Sequence, residues 1–188
     1  MALLMHTQRR ERYTSTAIAL HWLIALLLLG QFVFGLMLDD IPRGTPARGV
    51  YVNLHKSSGL VIGLLIVLRI VWRLTHTPPP LPDSMPAWQR HMARFSHAAL
   101  YLCMLMLPLS GYLASNVSKH GIKFFNLVRL PPWGPDDKTL YALFNNTHHI
   151  AALLLALFVA LHVLAVAKHM LVDRDGLVRR IWFSMEPR

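Results

Sequence analysis

Histidine is unusually frequent in this chain, which contains 11 histidines among 188 residues. Seven of them lie within or at the ends of long apolar stretches, where an unsatisfied polar group costs several kcal/mol. A single histidine in such a position is explained as well by a hydrogen bond between packed helices as by a metal ion. A regularly spaced set favours metal ligation. The seven are His21, His55, His97, His148, His149, His162 and His169.

Two of these histidines, His148 and His162, are 14 residues apart in one apolar stretch. On an α-helix this spacing rotates the side chain by about 40° and moves it by roughly 21 Å. The two imidazoles therefore face the same way at two depths. His149 points about 140° away from His162, so we take His148 as the inward member of the adjacent pair. Such a stack can serve two metal centres inside a bilayer whose apolar core is about 30 Å thick.

Four apolar segments must hold these histidines. Three stretches free of Asp, Glu, Lys and Arg exceed the roughly 20 residues that cross a hydrocarbon core. The second segment carries Lys56 near one end and Arg69 and Arg73 near the other, where long basic side chains can snorkel. The sequence therefore predicts an all-α fold: an integral membrane four-helix bundle forming one transmembrane domain over residues 1–188. The predicted helices span about 15–38, 50–74, 90–115 and 146–170.

The net charge of +10 does not indicate nucleic acid, because the 19 basic residues are spread between the apolar segments. Twelve of them fall on the side of the two termini and seven on the other side. The positive-inside rule then predicts that both termini are cytoplasmic.

Depth in the membrane assigns partners to the stacked histidines. His21 lies near the cytoplasmic start of the first segment and matches His162, whereas His55 lies near the outer start of the second and matches His148. We predict an inner haem iron held by His21 and His162, and an outer haem iron held by His55 and His148. Two imidazoles fill both axial positions, which favours electron transfer over oxygen chemistry. The chain has a single cysteine, Cys103, and no C-x-x-C-H motif, so the haems are predicted to be two non-covalent haems b.

Other polar residues lie at the depth of the inner haem. Arg69 and Arg73 are predicted to pair with haem propionates, since guanidinium matches a carboxylate bidentately, although a positive-inside anchor explains them equally well. His169 follows His162 by seven residues on the same face. It is the candidate catalytic residue at which a quinone carbonyl binds, the alternative being an interfacial histidine satisfied by lipid or water. His97 is a second candidate for that quinone site.

Three further features have two interpretations each. Gly59 and Gly63 leave a bare face after His55, which a macrocycle or a neighbouring helix can approach. Pro108 predicts a kink in the third segment, which either makes room for a cofactor or reflects the ordinary tolerance of proline in membrane helices. The stretch IKFFNLVRLPPW is predicted to lie in the outer interface or to form a plain surface loop.

Outer basic residues can steer a small anion: Arg43, Arg48, Lys56, Lys119, Lys123 and Arg129.

In these motifs the chain resembles the bacterial cytochrome b561 family of di-haem membrane proteins. The matching elements are ALHW around His21, LHKSSG containing His55, VLRIVWR, LPLSG, and a tail of the DGLVRRI type. The resemblance implies a multi-pass protein of the bacterial inner membrane that exchanges electrons with ubiquinone, an oxidoreductase of the respiratory chain. Some members resemble superoxide oxidases, which implies superoxide as the outer donor. The third loop is long and basic, so the outer substrate site cannot be transferred residue by residue.

Two functions follow from this reading. In the first, the chain is an enzyme of the superoxide:ubiquinone type, with membrane lipid, quinone and an electron donor as its partners. In the second, it is a haem-bearing membrane anchor that docks a separate dehydrogenase or carrier. A transporter is disfavoured because no acidic residue lies in any span.

Overall fold

Four long helices dominate the computed structural model, which describes residues 12–82 and 85–182. Each is long and apolar enough to cross a membrane, which confirms the predicted helical membrane fold. Arg9, Arg10 and Arg188, which entered the count of basic residues, lie outside the described residues. The helices are α1 (Ser15–Met37), α2 (Pro46–Thr75), α3 (Ala87–Asn116) and α4 (Lys138–Lys168).

Short polar side chains define where the helices begin. Thr14 caps α1 by accepting a hydrogen bond from the Ala17 amide, at 3.2 Å. Asp137 caps α4 by accepting from the amides of Thr139 and Leu140, at 2.7 and 3.0 Å. Because of this cap, α4 begins at Lys138 rather than near residue 146 as predicted.

The helices pack in sequence order around a small apolar core of Ile24, Ile62 and Ile66. The contact between α3 and α4 is the most extensive, and α1–α2 and α2–α3 are smaller. Within the described part of the chain, α4 makes little or no contact with α1 and α2. The position of α4 in the bundle is therefore set by its contact with α3.

The glycines of α2 serve helix packing. A Cβ at Gly63 would lie 2.9 Å from Cβ of Pro108 on α3, and one at Gly59 would lie 3.3 Å from Nε2 of Gln31 on α1. A neighbouring helix thus approaches this bare face at both glycines. Pro108 contributes its ring to this contact, and α3 continues through it to Asn116.

A β-hairpin that the sequence did not predict covers the end of α2 that contains His55. It consists of β1 (Ile122–Phe124) and β2 (Val128–Leu130), paired antiparallel. Lys56 donates from Nζ to the Gly121 carbonyl at 2.9 Å, and the Phe125 amide donates to Ser57 Oγ at 2.8 Å. These bonds fix the hairpin above the end of the bundle that contains His55.

The segment after α4 closes the opposite end. It forms a π-helical turn (His169–Asp173) and a 3-10 turn (Leu177–Ile181). Trp22 Nε1 donates to the Ile181 carbonyl at 3.0 Å, and Arg12 Nη2 donates to the carbonyls of Arg179 and Trp182 at 3.1 and 3.0 Å. This tail therefore packs against the start of α1.

Candidate functional site

At the hairpin end of the bundle, α2 and α4 bring the rings of His55 and His148 together edge to face. Their ring centres are 6.3 Å apart, with the ring planes inclined at 75°. A metal–imidazole nitrogen bond is about 2 Å long, so two imidazoles on opposite sides of one metal ion have ring centres roughly 6 Å apart. The spacing of the two rings suits two axial ligands of one iron.

The imidazole of His148 is oriented by α3. Its Nδ1 lies 2.9 Å from the Leu107 carbonyl and 3.4 Å from Ser110 Oγ. A bond of this kind fixes the ring and leaves Nε2 for a metal. His148 is half-buried and the neighbouring His149 is exposed, so the inward residue is the one that helix geometry selected.

Glycine makes room for the rings of both His55 and His148. A Cβ on Gly35 would lie 3.3 Å from Cε1 of His55, and a Cβ on Gly111 would lie 3.2 Å from Nδ1 of His148. The buried Nδ1 of His55 has no hydrogen-bond partner within residues 12–82 and 85–182. The backbone carbonyl of His55 accepts a bond of 2.7 Å from Gln31 Nε2, which ties α2 to α1 beside the ligand.

At the other end of the bundle, three histidines from three helices converge. The rings of His97 and His162 have centres 5.6 Å apart. Both residues also lie close enough to His21 for a charge on either ring to act on it. Arg69 donates from Nη1 to the Ala17 carbonyl at 2.8 Å and places Nη2 3.3 Å from Nδ1 of His21. The guanidinium is thus held against His21.

Arg69 and Arg73 also line a small, partly open pocket of about 20 Å³ between α1, α2 and α3. The Arg73 guanidinium lies over the ring of Tyr101, 5.8 Å from its centre. Trp72 stacks on His76 with ring centres 3.8 Å apart. Two cations beside an opening lined by aromatic side chains can receive the carboxylates of a bound group.

His169 follows His162 by seven residues, about two helical turns, and begins the π-helical turn. Its Nδ1 is 2.6 Å from Asp175 Oδ2 and 3.2 Å from Asp173 Oδ2. The sequence predicted the position of His169 along α4 but gave no sign of these two carboxylate contacts.

Comparison with known proteins identifies the group of proteins to which this arrangement belongs. A family profile described as prokaryotic cytochrome b561 matches residues 12–184. The chain belongs to the prokaryotic cytochrome b561 family. Members of this family are membrane electron-transfer proteins that bind haem b.

Individual relatives agree with this assignment. Cytochrome b561 homolog 2 of Escherichia coli is 30% identical over 176 residues, which cover 93% of each chain. Cytochrome b561 homolog 1 of the same organism is 24% identical over 171 residues, covering 91% of this chain and 97% of the relative. The probable superoxide oxidase CybB of Yersinia pestis is 23% identical over 171 residues, covering 91% of this chain and 96% of the relative.

The side chains present fit haem b. They supply imidazoles at both ends of one bundle, an orphaned ring nitrogen on His55, and glycines where the rings of His55 and His148 need space. Lys, Arg and aromatic side chains adjoin these groups, and the only cysteine, Cys103, is buried and unpaired. The donor set is therefore that of a haem held by histidine alone, without a covalent attachment.

The sequence did not predict that His97 lies beside His162. His97 was considered only for a quinone site, yet its ring lies beside that of His162. The signal was present in its depth, since His97 starts the third span at the level where the first span carries His21. The sequence does not show the direction of the His97 side chain, because that direction depends on how α3 packs against α4.

Proposed function

We propose that this family member holds two haems b and carries electrons from an outer donor to membrane ubiquinone. It lies in the inner membrane with both termini in the cytoplasm. The observation that supports this most is the pairing of His55 with His148 at a ring separation of 6.3 Å, at the end of the bundle opposite to His162. Haem, when bound, supplies an iron that accepts and donates one electron at a time.

The outer iron is assigned to His55 and His148. The Leu107 carbonyl accepts from Nδ1 of His148 and so sets its tautomer, leaving Nε2 for the metal. Gly35 and Gly111 keep the two rings free of neighbouring side chains. These residues hold and orient the two imidazoles.

The inner iron is assigned to His21 and His162, although His97 is the nearer ring to His162. A haem held by two histidines would need space between the helices that carry them. The helices of His97 and His162, α3 and α4, are the most closely packed pair, whereas α1 and α4 make little contact. The arrangement of helices therefore favours His21 opposite His162, with Arg69 and Arg73 for the propionates.

Single alanine variants test the inner ligands. His97→Ala is expected to keep two haems with an unchanged reduced spectrum, while His21→Ala loses one. Loss of a haem in His97→Ala together with full retention in His21→Ala would reverse the assignment.

Ubiquinone reduction is placed at the cytoplasmic end, beside His169. Overall, two superoxide ions and one ubiquinone take up two protons and give two molecules of oxygen and one ubiquinol. His169 lies near the interface, where it can bond to a quinone oxygen and pass it a proton from the cytoplasm.

Superoxide is the proposed donor because it is a small anion and because one relative bears the name of a probable superoxide oxidase. Three outer cations are already engaged: Arg48 with the Ile41 carbonyl, Lys56 with Gly121, and Lys119 with Asp136. Lys123 and Arg129 face each other across the hairpin and are exposed. Like charges in this arrangement weaken the strand pairing, and they can draw a small anion to the outer end.

The function is tested with the purified protein alone. Reduction of a short-chain ubiquinone by superoxide, accompanied by reduction of the b-type haem absorbance, is the expected result. Haem that is reduced only when a dehydrogenase or soluble carrier is added would refute the enzyme and support the membrane-anchor alternative.

A further inference from the structure

A compact ionic cluster lies immediately after α4, beyond the last haem-ligand position. Nδ1 of His169 contacts Oδ2 of Asp175 at 2.6 Å, and Lys168 Nζ contacts Oδ2 of Asp173 at 2.5 Å. A second contact of His169, to Asp173, is longer at 3.2 Å. His169 therefore makes its closest contact with Asp175. The closest partner of Asp173 is instead the ammonium group of Lys168.

The chain fixes the Asp175 carboxylate from both sides. The residues before and after it have left-handed backbone conformations, with φ of 50° at Arg174 and 73° at Gly176, so the chain turns back towards α4. Asp175 Oδ1 accepts a bond of 3.1 Å from the Leu177 amide, while Oδ2 meets His169. The turn thereby orients one carboxylate oxygen towards the imidazole.

A metal ion is a poorer explanation of this cluster. One nitrogen and two carboxylate oxygens lie within 4.8 Å of one another. However, the Lys168 ammonium already occupies the Asp173 oxygen that a cation would need. The pairing of a carboxylate with a histidine ring nitrogen is instead the arrangement that fixes an imidazole tautomer for proton transfer.

We propose that Asp175 is the positioning residue for proton delivery by His169 to the quinone. It accepts a hydrogen bond from Nδ1–H of the doubly protonated ring, whose Nε2–H donates to a quinone oxygen and passes its proton there. The ring then regains a proton at Nε2 from the cytoplasm, beside the exposed carboxylate of Asp175. Each ubiquinone receives two electrons and two protons, and the protons pass through this pair. This inference rests on the quinone site proposed above.

The matched variants are Asp175→Asn and Asp173→Asn in the full-length protein with its haems. Asparagine at 175 keeps Oδ1 for the Leu177 amide and replaces the acceptor at His169 by an NH₂ donor, so the turn is retained while the contact is lost. Asp175→Ser, whose hydroxyl can also cap the turn, serves as a second variant if the asparagine variant does not accumulate. Asp175→Glu tests whether a carboxylate restores function.

The measurement is a stopped-flow reaction in which dithionite-reduced protein, freed of excess reductant, is mixed with short-chain ubiquinone. In Asp175→Asn we expect the limiting rate of haem oxidation to fall by about tenfold to 100-fold, as for other residues that orient a functional histidine. The solvent deuterium isotope effect on that rate should rise, because proton delivery becomes limiting. Asp173→Asn should change the rate by less than about threefold, since the shorter contact of Asp173 is with Lys168.

The outcomes separate this inference from the proposed quinone site. His169→Gln with a wild-type rate would overturn the site itself. A slow His169→Gln together with an Asp175→Asn of unchanged rate would overturn only the role of Asp175. The role of Asp175 would also be overturned by a third result, in which Asp175→Asn is slow with an unchanged isotope effect while Asp175→Ser has the wild-type rate. The loss of rate would then be caused by the asparagine side chain and not by the missing carboxylate.

Discussion

Replacing Gly111 by alanine puts a methyl group against an imidazole that we assign to the outer haem. The new Cβ lies 3.2 Å from Nδ1 and 3.3 Å from Cε1 of His148. Carbon atoms in van der Waals contact prefer about 3.5–4.0 Å, so the ring must move by a few tenths of an ångström. The same movement strains the bond of 2.9 Å between Nδ1 and the Leu107 carbonyl.

The size of the effect follows from overpacking. Forcing a methyl group into a filled site costs about 1–3 kcal/mol. If this cost falls on the ligated state, the affinity for the outer haem decreases roughly fivefold to 150-fold. The inner haem should be unaffected, because its ligands lie at the opposite end of the bundle.

Haem content per chain, measured as the pyridine haemochrome, together with the reduced-minus-oxidised spectrum, provides the assay. Gly30→Ala is the matched control, since it also adds a methyl group to a membrane helix but meets nothing within 4 Å among the described residues. We expect Gly111→Ala to lose part or all of one haem and Gly30→Ala to keep both. Full haem content and an unshifted spectrum in Gly111→Ala would refute the reasoning.

Two further predictions concern charges at the two ends of the bundle. Arg69→Gln removes a cation beside His21. With the guanidinium roughly 8 Å from the iron and an effective dielectric constant of about 20, the interaction is worth about 2 kcal/mol. The midpoint potential of the inner haem should therefore fall by roughly 90 mV, given 59 mV per tenfold change. Potentiometric titration checks this, Arg69→Lys should restore most of the potential, and an unchanged inner potential would contradict it. Lys56→Met removes the hydrogen bond to the Gly121 carbonyl, which is worth about 1.5–3 kcal/mol. Amide hydrogen exchange in the hairpin, measured by mass spectrometry, should therefore quicken roughly tenfold or more. Unchanged exchange would show that this bond does not hold the hairpin in place.

Helical periodicity was sufficient for the features that depend on position along a helix. The choice of His148 over His149 and the depth of His55 and His162 needed only the rise and rotation per residue, because straight membrane helices keep that geometry over their whole length. The family assignment was predicted from the same residues and was confirmed by comparison.

Features that depend on contacts between helices could not be predicted in this way. The approach of His97 to His162 and of Arg69 to His21 depends on how the helices are rotated against one another. The hairpin was missed because its turn places Phe125 and Asn126 at positive φ without a glycine. Its stability comes from bonds to α2, such as that from Lys56, and local sequence does not report such bonds.

The central claim is that this chain holds two haems b, one at each end of the bundle, between paired histidines. The most direct test is the haem content of the purified protein and of its His55→Ala and His162→Ala variants, determined with the reduced spectrum of each. We predict two haems b per chain in the wild type and the loss of a different one in each variant. Absence of b-type haem, or its unchanged retention in both variants, would contradict the claim.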